Sequence, residues 1–186
     1  GVTVLDVERA LREQNVEFDV VTEEFVLGCS IRQACEFGTA DRVRRGNYSV
    51  LIIPYARLIS KSLLVFVEKL TARKGTVVFL DEAPEGDFDD GITRAFSNRF
   101  AKMLELRKGS VHVIPAREIA GVLPELKADV QVEANDTVCP DVQVTVRYGS
   151  GFELYHATNV SADEGYFASI TVPSRRHVAI VQAERG

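Results

Sequence analysis

No stretch of this sequence approaches the roughly 18 uninterrupted apolar residues that a membrane-spanning helix needs, so a helical span is excluded and no membrane partner is expected. An excess of positive charge is lacking too. The 22 lysines and arginines are dispersed among 27 aspartates and glutamates, for a formal net charge of -5. Phosphate contacts need clustered cations, and the one cluster, Arg42, Arg44 and Arg45, has no interleaved aromatics; it reads as a solvated helix end, and no nucleic acid partner is expected. Cysteine is scarce and odd in number: Cys29, Cys35 and Cys139 stand at spacings unlike any disulfide framework or zinc signature and read as buried or idle thiols. The N-terminal residues show a polar-apolar helical pattern instead of a basic and then apolar leader, so no secretory leader is expected here, and the compartment stays open. Internal repeats and low-complexity tracts are absent.

What remains is an ordinary globular composition, 46% apolar and 26% charged over 186 residues, enough chain for a core without disulfides or metal. Residues 4–11 carry apolar positions at helical spacing, and residues 18–21 read as a short strand. Between Gly28 and Gly46, the residues Ile31, Ala34, Cys35 and Phe37 suit a short irregular helix before a Gly46-Asn47 turn. Residues 49–53 form a continuous apolar run closed by Pro54, as in a strand buried on both faces of a parallel sheet. A helix is predicted over 60–72, with Ser60 as N-cap, Leu63, Leu64, Phe66, Val67 and Leu70 inward, and Arg73-Lys74-Gly75 as a cationic last turn with a glycine stop. Residues 76–80 form another buried strand. An acidic loop over 81–90 leads to a helix over 92–106, with Phe96, Phe100, Met103 and Leu104 on its buried face, and a strand follows over 111–114.

Strands alternating with helices of this length imply crossovers, hence an α/β fold: an open, mostly parallel sheet flanked by helices, flavodoxin-like or class I amidotransferase-like in outline. After a short helix over 116–123 and Pro124 the period changes to two. Short strands over 130–133, 142–146, 152–156, 166–172 and 178–181 then indicate a small antiparallel β unit. The expected division is an α/β domain over 1–126 and an antiparallel β module over 127–186.

Chemistry in an open α/β sheet is sought in the loops after the strands' carboxyl ends, here beginning at Thr22, Pro54, Asp81 and Pro115. None holds a glycine-rich phosphate cradle, and Pro54-Tyr55-Ala56-Arg57 lacks the amide run that wraps a flavin phosphate, so no cofactor is expected. A G-x-C-x-G or G-x-S-x-G elbow is missing as well, and His112, His156 and His177 fall in or beside predicted strands as core or edge histidines. Cys29, in Leu27-Gly28-Cys29-Ser30, follows no clear strand. No catalytic and no metal-binding residue is therefore assigned. Asp81 and Glu82 are the best-placed acids, but neighbours on one strand end do not face each other across a glycosidic bond. Together with Glu85, Asp87, Asp89 and Asp90 they read as loop solvation and helix-dipole charge. Tyr55, Asp81 and Glu82 are the candidate ligand-binding residues, as expected of a flavodoxin-like small-ligand or sensor module. Asn47, Asn135 and Asn159 stand in N-x-S/T contexts; since Asn47 adjoins a strongly apolar strand, chance matches are expected.

The order of landmarks carries a resemblance: Ala10-Leu11, then Phe18-Asp19-Val20-Val21, then Tyr48-Ser49-Val50-Leu51-Ile52-Ile53-Pro54, Phe66-Val67, and Lys74-Gly75-Thr76-Val77-Val78-Phe79. This pattern resembles the degenerate amidotransferase-like, or trimerisation, domain beside the catalytic barrel of β-galactosidase and α-L-rhamnosidase-type glycoside hydrolases. The tail, Val146-Arg147-Tyr148 and then Phe152-Glu153-Leu154-Tyr155-His156-Ala157-Thr158-Asn159-Val160-Ser161, is similar to the β segment that follows in such enzymes. The resemblance implies a non-catalytic accessory domain in carbohydrate metabolism, because those families carry acid and nucleophile on the barrel. It also implies the partners: other domains of the same parent enzyme, a second copy in a homo-oligomer, and carbohydrate at a cleft rim. Two departures stand out. The family's first strand before the opening helix is missing, and its final W-D is replaced by Val181-Gln182-Ala183.

Overall fold

The structure, a computed structural model, describes residues 3–14, 16, 18–31, 37–38, 47–122, 130–148, 153–161, 165 and 167–172. It separates into two compact units: Gly1–Leu11 with Phe18–Leu126, and Arg12–Glu17 with Lys127–Gly186.

Helix α1 (Val4–Glu13) begins in the first unit and has its last two residues in the second. The first unit contains, in chain order after it, α2 (Glu23–Gly28), β1 (Ser30–Ile31), β2 (Phe37–Gly38), β3 (Asn47–Tyr48), β4 (Val50–Pro54), β5 (Leu58–Ile59), α3 (Lys61–Ala72), β6 (Thr76–Leu80), β7 (Gly86–Asp87), β8 (Gly91–Ile92), α4 (Arg94–Leu106), β9 (Val111–Ile114) and α5 (Ile119–Val122). A three-stranded sheet of order β4-β6-β9 lies at its centre, parallel throughout, with Ile52 opposite Val78 and Phe79 opposite Val113. The expected α/β class is thus present, and α3 and α4 are its crossovers. Two small sheets accompany it, antiparallel β1-β2-β3 and mixed β5-β7-β8.

Alternate side chains of a strand face opposite sides. From one face of the sheet, Leu51, Val77, Phe79 and Val111 join Leu63, Phe66, Val67 and Leu70 of α3 and Phe96, Phe100 and Met103 of α4 in a single buried cluster. Phe79 meets Phe100 edge-on, with centroids 5.4 Å apart at 76°. On the other face Val78 and Leu80 are 1% exposed, so the central strand is covered on both sides.

Each main helix starts on a hydroxyl cap, at Ser60 as expected and at Thr93, which was not singled out from the sequence. Ser60 Oγ accepts from the Leu63 N–H at 2.9 Å, and Thr93 Oγ1 accepts from the Phe96 N–H at 3.2 Å. The second cap moves the start of α4 past Ile92, which lies in β8. At the end of α3 the glycine stop is built differently from expectation. Lys74, not Gly75, takes the left-handed conformation, at φ 65°. The N–H groups of Lys74 and Gly75 close on the Thr71 and Leu70 carbonyls, and Gly75 is required for space, since a Cβ there would lie 2.3 Å from Leu70 Cδ1. Lys74→Gly is expected to stabilise the protein by about 0.5–1 kcal/mol, seen as a higher urea midpoint at unchanged slope.

Three further expectations change. Residues 18–21 form no strand; they run into Thr22, whose Oγ1 accepts from the Phe25 N–H at 3.3 Å and starts α2 where a loop was expected. Of the residues expected in an irregular helix after Gly28, Ile31 and Phe37 are strand residues, Ser30 and Ile31 pairing with Gly38 and Phe37; residues 32–36 and 39–46 lie outside the described residues. The helix over 116–123 is a 3-10 turn, Ala116–Glu118, continued by α5.

The second unit is antiparallel: β10 (Gln131–Ala134), β11 (Thr137–Val138), β12 (Val142–Tyr148), β13 (Glu153–Asn159) and β14 (Ser169–Thr171). The strands pair as β11-β10-β14 and as the hairpin β12-β13. Val130, Val132, Cys139, Val142 and Val146 form its core, with Val144 packed against it, the period of two in β12 sending all three of its valines to one face. Asn135 and Asp136, at φ 52° and 60°, make the tight β10–β11 turn, a conformation that asparagine and aspartate tolerate. Residues 178–181, expected as a strand, lie outside the described residues, as does His177.

Candidate functional site

The carboxyl ends of β4 and β6 carry the three candidate residues. Tyr55 follows β4 at φ 38° with its side chain exposed, and Asp81 follows β6 at φ 65°. Asp81 is exposed, but its Oδ1 accepts from the Ala116 N–H at 2.9 Å, and its backbone N–H donates to the Ile114 carbonyl at 2.8 Å. Asp81 therefore ties the end of β6 to the end of β9 and satisfies the first amide of the 3-10 turn. Asn is expected to replace Asp81 within about 0.5 kcal/mol, because it keeps the acceptor and tolerates positive φ, whereas Asp81→Val is expected to cost about 2 kcal/mol in thermal unfolding.

Glu82 is exposed, its N–H donating to the Leu80 carbonyl. It lines an open groove of ≈ 470 Å³ with Ala83, Pro84 and Glu85 on one side and Ser97, Phe100, Ala101 and Leu104 of α4 on the other. Tyr55 and Asp81 are not part of that lining. The structure thus places all three candidates at one end of the sheet and Glu82 alone of them along this groove.

The rest of the acidic loop is organised by side chains more than by solvent. Glu85 Oε2 accepts from Arg57 Nε at 2.7 Å, and this bond, ahead of the carboxylate's charge, raises the guanidinium above its usual range. Asp87 is 4% exposed, and its Oδ1 accepts from the Asp89 and Asp90 N–H groups at 2.9 and 2.8 Å. Lys61 Nζ sits 2.8 Å from Asp90 Oδ2, and the hydrogen bond to Asp90 holds its pKa above the ordinary lysine value. Solvation describes Asp89 and Asp90; for Asp87 it is corrected, since an aspartate two residues ahead of free amides folds back on them. The Asp87-Phe88-Asp89-Asp90-Gly91 run was the signal for that turn.

Cys29 is buried, and burial pushes its thiol up, away from the thiolate that nucleophilic chemistry needs. Its Sγ donates to the Phe25 carbonyl at 3.3 Å. Cys139 is free and buried in the second unit; Cys35 lies outside the described residues. His112 lies in β9 and His156 in β13. Among the described residues no group of three or more His, Cys, Asp or Glu side chains is placed to hold a metal, and no helix is long and apolar enough to cross a membrane. No protein family, curated protein or solved structure matches this chain.

Proposed function

We propose that this chain is a non-catalytic accessory module of a glycoside hydrolase, supplying interdomain or oligomer contacts and rimming the substrate cleft. In this reading the first unit is a degenerate flavodoxin-like or class I amidotransferase-like fold. Its strand order β4-β6-β9, parallel and in chain order, agrees with one wing of such a sheet. The observation that carries the proposal is the state of Asp81. The acid at the end of the central strand, where a ligand or substrate would be met, has Oδ1 committed to the Ala116 N–H, while the backbone N–H of the same residue holds the Ile114 carbonyl of β9.

The chain alone should leave nitrophenyl glycosides intact, while the polypeptide encoded around it should contain a (β/α)8 pattern with strand-end glutamates and hydrolyse them. Turnover by the 186-residue chain by itself would sink the proposal.

One observation favours a second reading, a flavodoxin-like small-ligand or sensor module using Tyr55, Asp81 and Glu82: the groove beside Glu82. A flavin absorbance band, or a ligand-dependent rise in melting temperature lost in Glu82→Gln, would support it over the first.

A further inference from the structure

Among the described residues the central sheet ends at β4. Across the β4–β6 ladder the Thr76 N–H donates to the Ser49 carbonyl at 3.4 Å, and in a parallel ladder only every second residue faces a given neighbour. Leu51 and Ile53 therefore direct their backbone groups to β6, and Val50 and Ile52 turn theirs outward, where no strand pairs with β4 among the described residues. Edges of this kind are normally blunted by charge, proline or a bulge. From Val50 to Ile53 there is none, Pro54 being the last residue of the strand. The side chains are instead uninterruptedly apolar, the pattern of a strand enclosed within a parallel sheet. Burial tells the same: Ile52 and Ile53 are half-buried, whereas Val78 and Phe79, opposite them on β6, are 1% and 0% exposed.

Earlier in the chain stand a helix and an extended segment. Helix α1 leads into residues 18–21, which have a strand's composition but no ladder, with Val20 and Val21 62% and 37% exposed. Asp19 Oδ2 accepts from the Tyr48 hydroxyl at 2.5 Å, which ties this segment to the residue two before β4. In an α/β sheet an extended segment that follows a helix takes its ladder from a parallel neighbour.

We propose that the outer edge of β4 receives an extended apolar strand, parallel to β4, contributed by the larger polypeptide to which this module belongs. The incoming strand accepts from the Val50 and Ile52 N–H groups, donates to their carbonyls, and gives residues 18–21 a ladder on its far side. This rests on the accessory-module proposal, and it names the contact by which the module is held.

Amide hydrogen exchange tests it. In the full-length polypeptide, Val50 and Ile52 should exchange within about tenfold of the ladder amides Leu51 and Ile53, and at least about 100-fold more slowly than in the 186-residue chain alone. Ile52→Pro removes an outward N–H without touching the β6 ladder, so it should return Val50 to fast exchange in the full-length protein. Val113→Pro, the same lesion on the outward side of β9, should leave Val50 slow. Fast exchange at Val50 and Ile52 in a full-length protein that hydrolyses glycosides overturns the edge proposal alone. A coding region that starts and stops at these 186 residues overturns both proposals. Protection appearing in the isolated chain and growing with its concentration overturns this one by assigning the edge to a second copy.

Discussion

Phe79→Ala is expected to cost about 3–5 kcal/mol and to lower the melting temperature of the first unit by about 10–20 °C. Phe79 is fully enclosed on the central strand, and its ring meets Phe100 of α4 edge-on while Leu63, Phe66 and Val67 of α3 share the same cluster. Removing it empties the space on which both crossover helices close, and neither helix can follow the loss without breaking contacts with the other. Phe79→Leu, which retains most of the volume, should cost about 1–1.5 kcal/mol. Calorimetry on the three proteins checks the series, and a loss below about 1 kcal/mol for the alanine variant would contradict the packing described.

Gly86→Ala should be the second most damaging substitution, at about 2–3 kcal/mol, although it adds one methyl group. A Cβ at Gly86 would stand 2.2 Å from the Gly91 carbonyl oxygen and 2.8 Å from the Ile92 Cα, both on the paired strand β8. These are backbone atoms, so relief requires β7 and β8 to part. That would also disturb Asp87, which caps Asp89 and Asp90 from the next position. Two controls separate this effect from a general intolerance of alanine. A methyl group added at Gly109 would meet nothing within 4 Å, and Gly109→Ala should be close to neutral. Gly91 has open space as well but φ 70°, so Gly91→Ala should cost only the left-handed penalty, about 1 kcal/mol. Urea titrations of the three variants give the ranking directly.

The parts of the fold legible in the sequence are those whose determinants are local. Helix α3 announces itself by Ser60 and by five inward apolar residues at helical spacing; β4 and β6 announce themselves as continuous apolar runs between turn residues. Residues 18–21 have equally strand-like composition and form no strand, because a strand exists only through a neighbour's hydrogen bonds. Two-residue strands such as β7 and β8 leave no periodicity to detect. The Asp136 region shows the reverse: the Asn-Asp pair marks a turn, but that β11 pairs back on β10 depends on Val132 and Cys139 being buried together.

The candidate residues divide in the same way. That Tyr55, Asp81 and Glu82 share one end of the sheet follows from parallel strands, which the sequence implies. That Asp81 holds Ala116, 35 residues later, does not follow, since nothing local to either residue records the other.

By itself, then, the sequence determined the class, α/β followed by antiparallel strands, and the identity of the main helices and strands, because hydrophobic period and capping act over a few residues. Only the tertiary structure decided which strands pair, that β4 is the outer strand of the central sheet among the described residues, that Asp87 is buried and that Asp81 serves the backbone. Each of these depends on a hydrogen-bond partner or a close neighbour brought from elsewhere in the chain, and such contacts exist only once the elements have packed.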